Sequence, residues 1–72
     1  MVNINKLKGK IIEKGIKVSV LAENIGIDTS TLYRKFKNNG ENISIKEADL
    51  IVKSLELTPE EAISIFFDKN VA

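Results

Sequence analysis

Apolar residues recur at helical spacing along the whole chain and divide it into five segments. In the first four segments they stand mainly three, four or seven residues apart, which places them on one stripe of an α-helix. Those stripes are Ile4, Leu7, Ile11 and Ile12; Val18, Leu21, Ala22 and Ile25; Leu32 and Phe36; and Ile45, Ala48, Val52 and Leu55. A fifth apolar segment runs from Ala62 to about Phe67. The pattern predicts an all-α fold of five helices.

The residues between these segments are ones that begin or end helices. Glycine tolerates the left-handed backbone that closes many helices, so Gly15 and Gly26 are predicted to end the first two. The predicted helix starts are Asp28 or Thr29 for the third, the capping box of Ser44 and Glu47 for the fourth, and Thr58 followed by Pro59 for the fifth. The alternating stretches KVSVLA and NISIK have no hairpin partner with a clean turn, so no strand is predicted.

The composition removes most catalytic chemistry. The sequence contains no Cys and no His, which excludes thiol nucleophiles, disulfides, imidazole catalysis and nearly every zinc site. A chain of 72 residues forms one small domain without a deep cleft. We therefore expect no enzyme, no metal, no cofactor and no small-molecule ligand. The basic stretch MVNINKLKGKIIEKG lacks the continuous apolar run of a signal peptide, and no apolar run approaches bilayer length, so we expect a cytoplasmic protein without a membrane partner.

Charge is distributed unevenly along the chain. Residues 1–40 carry eight Lys and Arg against three acids, a balance of +5, whereas residues 41–72 carry three Lys against seven acids, a balance of −4. Such asymmetry indicates a basic surface for a polyanion, although with so few charges chance is the alternative.

The second and third helices are separated only by residues 26–28. A connection this short forces a steep crossing, and Gly26 allows the positive φ that the turn demands. Ala22 supplies a small side chain where the two backbones approach. This is the geometry of a helix-turn-helix, in which the second of the two helices enters the major groove of DNA.

The stretch from Val18 to Phe36, VSVLAENIGIDTSTLYRKF, resembles the helix-turn-helix of the lambda-repressor and Cro family, also called the xenobiotic-response-element family. The segment NISIKEADLIVKSLELTPEEAISIFF is similar to the last two helices of those domains, so the resemblance covers nearly the whole chain. It implies a single DNA-binding domain over residues 1–72, a helix-turn-helix at about 18–37 and a recognition helix at about 29–38. Two positions depart from the family: Val18 stands where Gln is frequent, and Lys17 where a Ser or Thr cap is common.

Helix geometry selects the residues that would face DNA. Leu32 and Phe36 define the buried side of the third helix, so the opposite stripe is Ser30, Tyr33, Arg34 and Lys37. The candidate base contacts are Thr29, Ser30, Tyr33 and Arg34, with Arg34 the leading one because its fork matches guanine O6 and N7. Tyr33 has two other possible roles, a phosphate contact through its hydroxyl or stacking on a sugar.

Phosphate contacts are expected at both ends of the motif. The candidates are Lys17 and Ser19 at the start of the second helix, and Lys35, Lys37, Asn38 and Asn39 at the end of the third. For the lysines of the first helix, Lys6, Lys8, Lys10 and Lys14, we favour ordinary solubility.

The fifth helix carries apolar residues in more directions than one core accepts. We expect Phe66 or Phe67, with Ile63, to contribute to a homodimer interface; the alternative is that both phenylalanines close the core. Members of this family commonly pair and read two half-sites about 34 Å apart.

The leading hypothesis is a small Cro-like transcriptional regulator that binds double-stranded DNA. The chain has almost no residues after the fifth helix, although a domain trimmed from a longer protein would look the same. The rival hypothesis is an antirepressor-like module that keeps the fold and binds a protein partner through helix five.

Overall fold

The chain folds into five α-helices connected by short turns. The computed structural model describes residues 2–69. The helices are α1 (Ile4–Lys14), α2 (Val18–Ile25), α3 (Thr29–Lys37), α4 (Ile45–Leu55) and α5 (Pro59–Phe66). No strand occurs between residues 2 and 69. The predicted all-α class and the five predicted helices are therefore confirmed. No helix in this part of the chain is long and apolar enough to cross a membrane.

One apolar core receives side chains from every helix. α2 packs against both α3 and α4, and α1 packs against α4 and α5. The largest fully buried side chains are Leu7, Leu21, Leu32, Ile51, Leu55 and Ile65. Because α3 packs against α2 and buries Leu32 and Phe36 in the core, the position of the third helix is fixed and its other side is left at the surface.

The predicted apolar stripe of α4 was partly wrong. Ile45 is 91% exposed, whereas Ile51, which the pattern left out, is completely buried. Successive residues in a helix are about 100° apart, so Ile45 lies about 120° around the helix from Ile51. Ile45 is also the first residue of the helix. The buried stripe is therefore centred on Ile51 and Leu55, with Ala48 and Val52 packed at its edge.

Ile12 is a second correction. The sequence pattern placed it on the core side of α1, but it is 79% exposed. Leu7 and Ile11 are both buried and stand four residues apart, so they define the core side of the helix. Ile12 is about 100° away from Ile11 and is left outside.

Local capping chemistry was predicted correctly at most helix ends. Gly15 (φ 69°) and Gly26 (φ 78°) both adopt the left-handed conformation. Ser44 with Glu47 and Thr58 with Glu61 each form a complete capping box, and Pro59 is the first residue of α5. The side-chain cap predicted at the start of α3 is not formed, because Asp28 occupies the N-cap position without a capping hydrogen bond. Two helix ends were not predicted: the start of α1, which Asn3 caps, and the end of α4, where Glu56 is left-handed without being glycine (φ 51°).

Polar contacts hold α5 against α1. The backbone N–H of Asn3 donates to the Ile65 carbonyl at 2.6 Å, and the ammonium of Lys10 binds the carboxylates of Glu13 and Glu61. The hydrogen bond from Lys10, together with that from the Thr58 backbone, lowers the pKa of Glu61 to about 2. The same carboxylates raise the pKa of Lys10. These contacts give Lys10 a structural role.

Candidate nucleic-acid interface

α2 and α3 form the predicted helix-turn-helix. The N–H groups of Gly26 and Ile27 donate to the carbonyls of Glu23 and Ala22 at 3.1 and 3.0 Å, which closes the end of α2. Ala22 is 1% exposed, so its small side chain lies at a tightly packed position. Residues 26–28 then lead directly into α3. The turn therefore fixes the orientation of α3 relative to α2.

One side of α3 is buried and the other is open. Leu32 and Phe36 are in the core. The opposite stripe, Ser30, Tyr33, Arg34 and Lys37, is exposed along its whole length. Thr29, the first residue of the helix, is half-buried. The structure thus brings three of the four candidate base contacts, Ser30, Tyr33 and Arg34, to one exposed side of α3, whereas Thr29 is the least accessible of the four.

The guanidinium of Arg34 is tied to its own helix. Its Nη2 atom donates to Thr31 Oγ1 at 3.1 Å. This bond restricts the side chain without burying it, so the other N–H donors of the fork are available to a ligand. Thr31 was not among the predicted site residues. Side chains three residues apart are neighbours on a helix, so its spacing from Arg34 could have indicated this contact.

The two helices of the motif differ from the other three at their N-termini. Asn3, Ser44 and Thr58 cap α1, α4 and α5 with side-chain hydrogen bonds, whereas Lys17 and Asp28 make no such bond at the starts of α2 and α3. The first N–H groups of a helix carry partial positive charge and suit an anionic oxygen. Lys17 and Ser19 are exposed beside the start of α2.

Lys35 does not fit its predicted role as a phosphate contact. Its ammonium donates to the Asn42 carbonyl at 2.7 Å and lies 3.3 Å from Glu47 Oε1. The side chain is only 18% exposed. The Ser44 backbone N–H and the Lys35 ammonium both lower the pKa of Glu47. Lys35 therefore ties α3 to the loop and to the start of α4, and Glu47, which we had assigned only to a cap, shares this role.

The C-terminal end of α3 presents the remaining candidates. Lys37, Asn38 and Asn39 are all exposed. The Gly40 N–H donates to the Lys35 carbonyl at 2.8 Å, and Asn39 is left-handed (φ 59°). The loop is therefore an ordered continuation of α3 that keeps these side chains at the surface.

Ion pairing between the two halves of the chain reduces the uneven charge of the sequence. Of the eight cations in residues 1–40, three pair with acids of the second half: Lys6 with Asp68, Lys10 with Glu61, and Lys35 with Glu47. The other five form no ion pair within residues 2–69; they are Lys8, Lys14, Lys17, Arg34 and Lys37. Three of these five belong to α3 or to the start of α2. Glu23 and Asp28 of the same motif also form no ion pair within residues 2–69, so the unpaired charges of residues 17–37 leave a balance of +1.

The predicted dimer residues separate into two groups. Ile63 is 60% and Phe67 is 72% exposed, whereas Phe66 is 9% exposed and packs in the core. Phe66 belongs to the core cluster together with the fully buried Ile65. Our expectation for Phe66 is therefore corrected, and Ile63 and Phe67 remain the candidates on this surface.

No cluster of three or more Asp, Glu, His or Cys in the described part of the chain is arranged to hold a metal ion. The chemistry that the interface offers is hydrogen-bond donation, positive charge and one exposed aromatic ring. These are the groups that bind phosphates and base edges.

The fold and this surface define a helix-turn-helix protein of the DNA-binding class. The profile of the Cro/C1-type HTH DNA-binding domain family matches residues 6–68. The chain belongs to this family, which is not enzymatic, and is in general terms a DNA-binding transcription regulator. Searches of the curated proteins and of the solved structures found no match.

Proposed function

We propose that the chain is a small Cro/repressor-type regulator that binds a specific double-stranded DNA sequence with α3 in the major groove. The observation that carries this proposal is the exposed stripe of Ser30, Tyr33, Arg34 and Lys37 on the second helix of the motif. Arg34 donates to guanine O6 and N7 in this arrangement, and Thr29, Ser30 and Tyr33 contact neighbouring base edges or sugars.

Phosphates on either side of the groove are bound by the two ends of the motif. Lys17, Ser19 and the uncapped N-terminus of α2 contact one strand. Lys37, Asn38 and Asn39 contact the other, and Lys35 holds their loop in place through Asn42 and Glu47. Such contacts set affinity and orientation, whereas the base contacts set sequence preference.

The proposed regulator acts as a homodimer joined through Ile63 and Phe67. A single small module buries only about 600 to 1,000 Å² on DNA, and pairing two modules reads two half-sites about 34 Å apart. Ile63 on α5 and Phe67 directly after it, both more than half exposed, supply the surface that a second copy would cover.

Salt titration of DNA binding tests the central proposal. The wild-type protein should bind random duplex DNA at about 50 mM salt, and its affinity should fall steeply as salt rises because bound cations release counterions. Fluorescence anisotropy of a labelled duplex measures both quantities. Undetectable binding at low salt, or a flat salt response, would leave the rival function as a protein-interaction module.

The same titration separates Lys37 from Lys35. Lys37→Ala should make the slope of log K against log salt less negative by about 0.9, the value for one lost phosphate contact. Lys35→Ala should weaken binding without changing that slope, because its ammonium is already occupied by Asn42 and Glu47. If the slope for Lys35→Ala also becomes less negative, Lys35 contacts a phosphate as the sequence analysis expected.

An Ile63→Ser, Phe67→Ser double variant tests the dimer. Sedimentation should show a shift from dimer to monomer, and affinity for a two-half-site duplex should fall towards that for a single half-site. Ile45→Ser is a matched control, because Ile45 is 91% exposed on α4 and lies outside the proposed interface. Equal sedimentation of all three proteins would rule out α5 as the dimer surface.

A further inference from the structure

An open depression between α1, the start of α2 and α3 lies beside the exposed stripe of α3. Its volume is about 180 Å³, and its lining residues are Lys8, Ile11, Ile12, Val18, Tyr33 and Phe36. We call it the α1 groove. All of its lining residues except Lys8 are apolar or aromatic.

The α1 groove differs from the core below it because its upper walls are at the surface. Ile11 and Phe36 form a buried floor, each 4% exposed, whereas Ile12 is 79% and Tyr33 is 55% exposed. Leu7 and Ile11 already supply the buried side of α1, so the packing of the helix does not need an isoleucine at position 12. An exposed isoleucine beside an exposed tyrosine therefore forms a surface that a ligand can cover.

The surroundings of the α1 groove are positively charged. Lys8 lines it, Lys17 precedes Val18, and Lys37 follows Tyr33 by one helical turn. None of these three lysines forms an ion pair within residues 2–69. The acid that follows Ile12 in sequence, Glu13, is bound to Lys10 and lines a separate depression with Ser64 and Ile65. The ligand that this arrangement fits has an apolar side next to an anionic group.

We infer that the α1 groove binds the sugar–phosphate backbone of duplex DNA and extends the interface from the helix-turn-helix onto α1. A deoxyribose packs against Ile12 and Tyr33, and the adjacent phosphate is bound by Lys8. Tyr33 belongs both to the groove and to the exposed stripe of α3, so the two surfaces are continuous. The inference rests on the proposed function, and it replaces the solubility role first expected for Lys8.

The salt dependence of binding tests the role of Lys8. Lys8→Gln should make the slope of log K against log salt less negative by about 0.9 relative to wild type. Lys6→Gln is the matched control: it removes the same charge from the same helix, but Lys6 is near Asp68 and lines a different depression. Its slope should equal that of wild type. If the two variants have equal slopes, Lys8 makes no phosphate contact and the inference fails.

Ile12→Asn tests the apolar wall. Its affinity for specific and for random duplexes should fall alike, by about fivefold, with an unchanged salt slope. Circular dichroism should show a native spectrum because the side chain is exposed. Wild-type affinity for Ile12→Asn would overturn the groove as a DNA surface, while the slope change of Lys37→Ala would still support the proposed function. If the wild-type protein showed no salt-dependent binding to DNA, both the proposed function and the inference about the α1 groove would be wrong.

Discussion

Replacing Gly40 with alanine is expected to lower the free energy of unfolding by roughly 2 to 3 kcal/mol. Gly40 is buried and left-handed (φ 73°). A Cβ atom added there would lie 2.9 Å from both Cβ and Cγ1 of Val2 and 3.0 Å from Cδ1 of Ile4. Since the Cβ atom of Val2 is attached to the backbone, rotation of its side chain cannot remove the overlap. A domain of this length is stabilised by only about 4 to 11 kcal/mol in total, so the loss is large.

Gly15→Ala isolates the part of this cost that comes from the backbone. Gly15 has nearly the same φ (69°), but no atom lies within 4 Å of an added Cβ. Its variant should lose only about 1 kcal/mol, the cost of a left-handed backbone for alanine. Urea unfolding followed by circular dichroism measures both variants. Equal losses would mean that the segment around Val2 moves away freely and that the steric argument for Gly40 is wrong.

Much of this fold was predictable because its determinants are local. A capping box needs only Ser44 and Glu47 at the correct spacing, and the turn into α3 needs only a residue that tolerates positive φ, which Gly26 supplies. Helical periodicity likewise depends on neighbours within two turns. The helices, most of their ends and the exposed stripe of α3 could therefore be read from the sequence.

The errors occurred where a residue's environment depends on distant parts of the chain. In the pairs Ile11 and Ile12, and Phe66 and Phe67, one residue is buried and its neighbour is exposed, and the packing of the other helices decides which one is buried. The role of Lys35 depends on Glu47, twelve residues later. Periodicity along one helix contains no information about that contact. The α1 groove was missed for the same reason, since it is assembled from three helices.

Replacing Arg34 with alanine is expected to relax the preference for one base pair in each half-site of the DNA. Each bidentate contact to guanine contributes about 1 to 3 kcal/mol of discrimination, and the proposed dimer would make the contact twice. Thr31 Oγ1 accepts from Nη2 at 3.1 Å, which restricts the guanidinium before DNA is bound and reduces the entropy lost on binding. Selection of bound fragments from a random DNA pool, followed by affinities for single-base variants, measures the change in preference.

Two further variants show whether the effect comes from the shape of the guanidinium or from its charge. Arg34→Lys keeps the charge but loses the planar fork, so it should retain much of the affinity for random DNA while losing the guanine preference. Lys37→Ala should weaken all sequences alike, because a phosphate contact carries no base information. A loss of guanine preference in Arg34→Lys, beside a uniform loss of affinity in Lys37→Ala, identifies Arg34 as a base contact. Removing charge alone would not change the sequence preference. Equal, sequence-independent losses from Arg34→Ala and Lys37→Ala would place Arg34 among the phosphate contacts and leave Ser30 and Tyr33 as the remaining exposed candidates for reading bases.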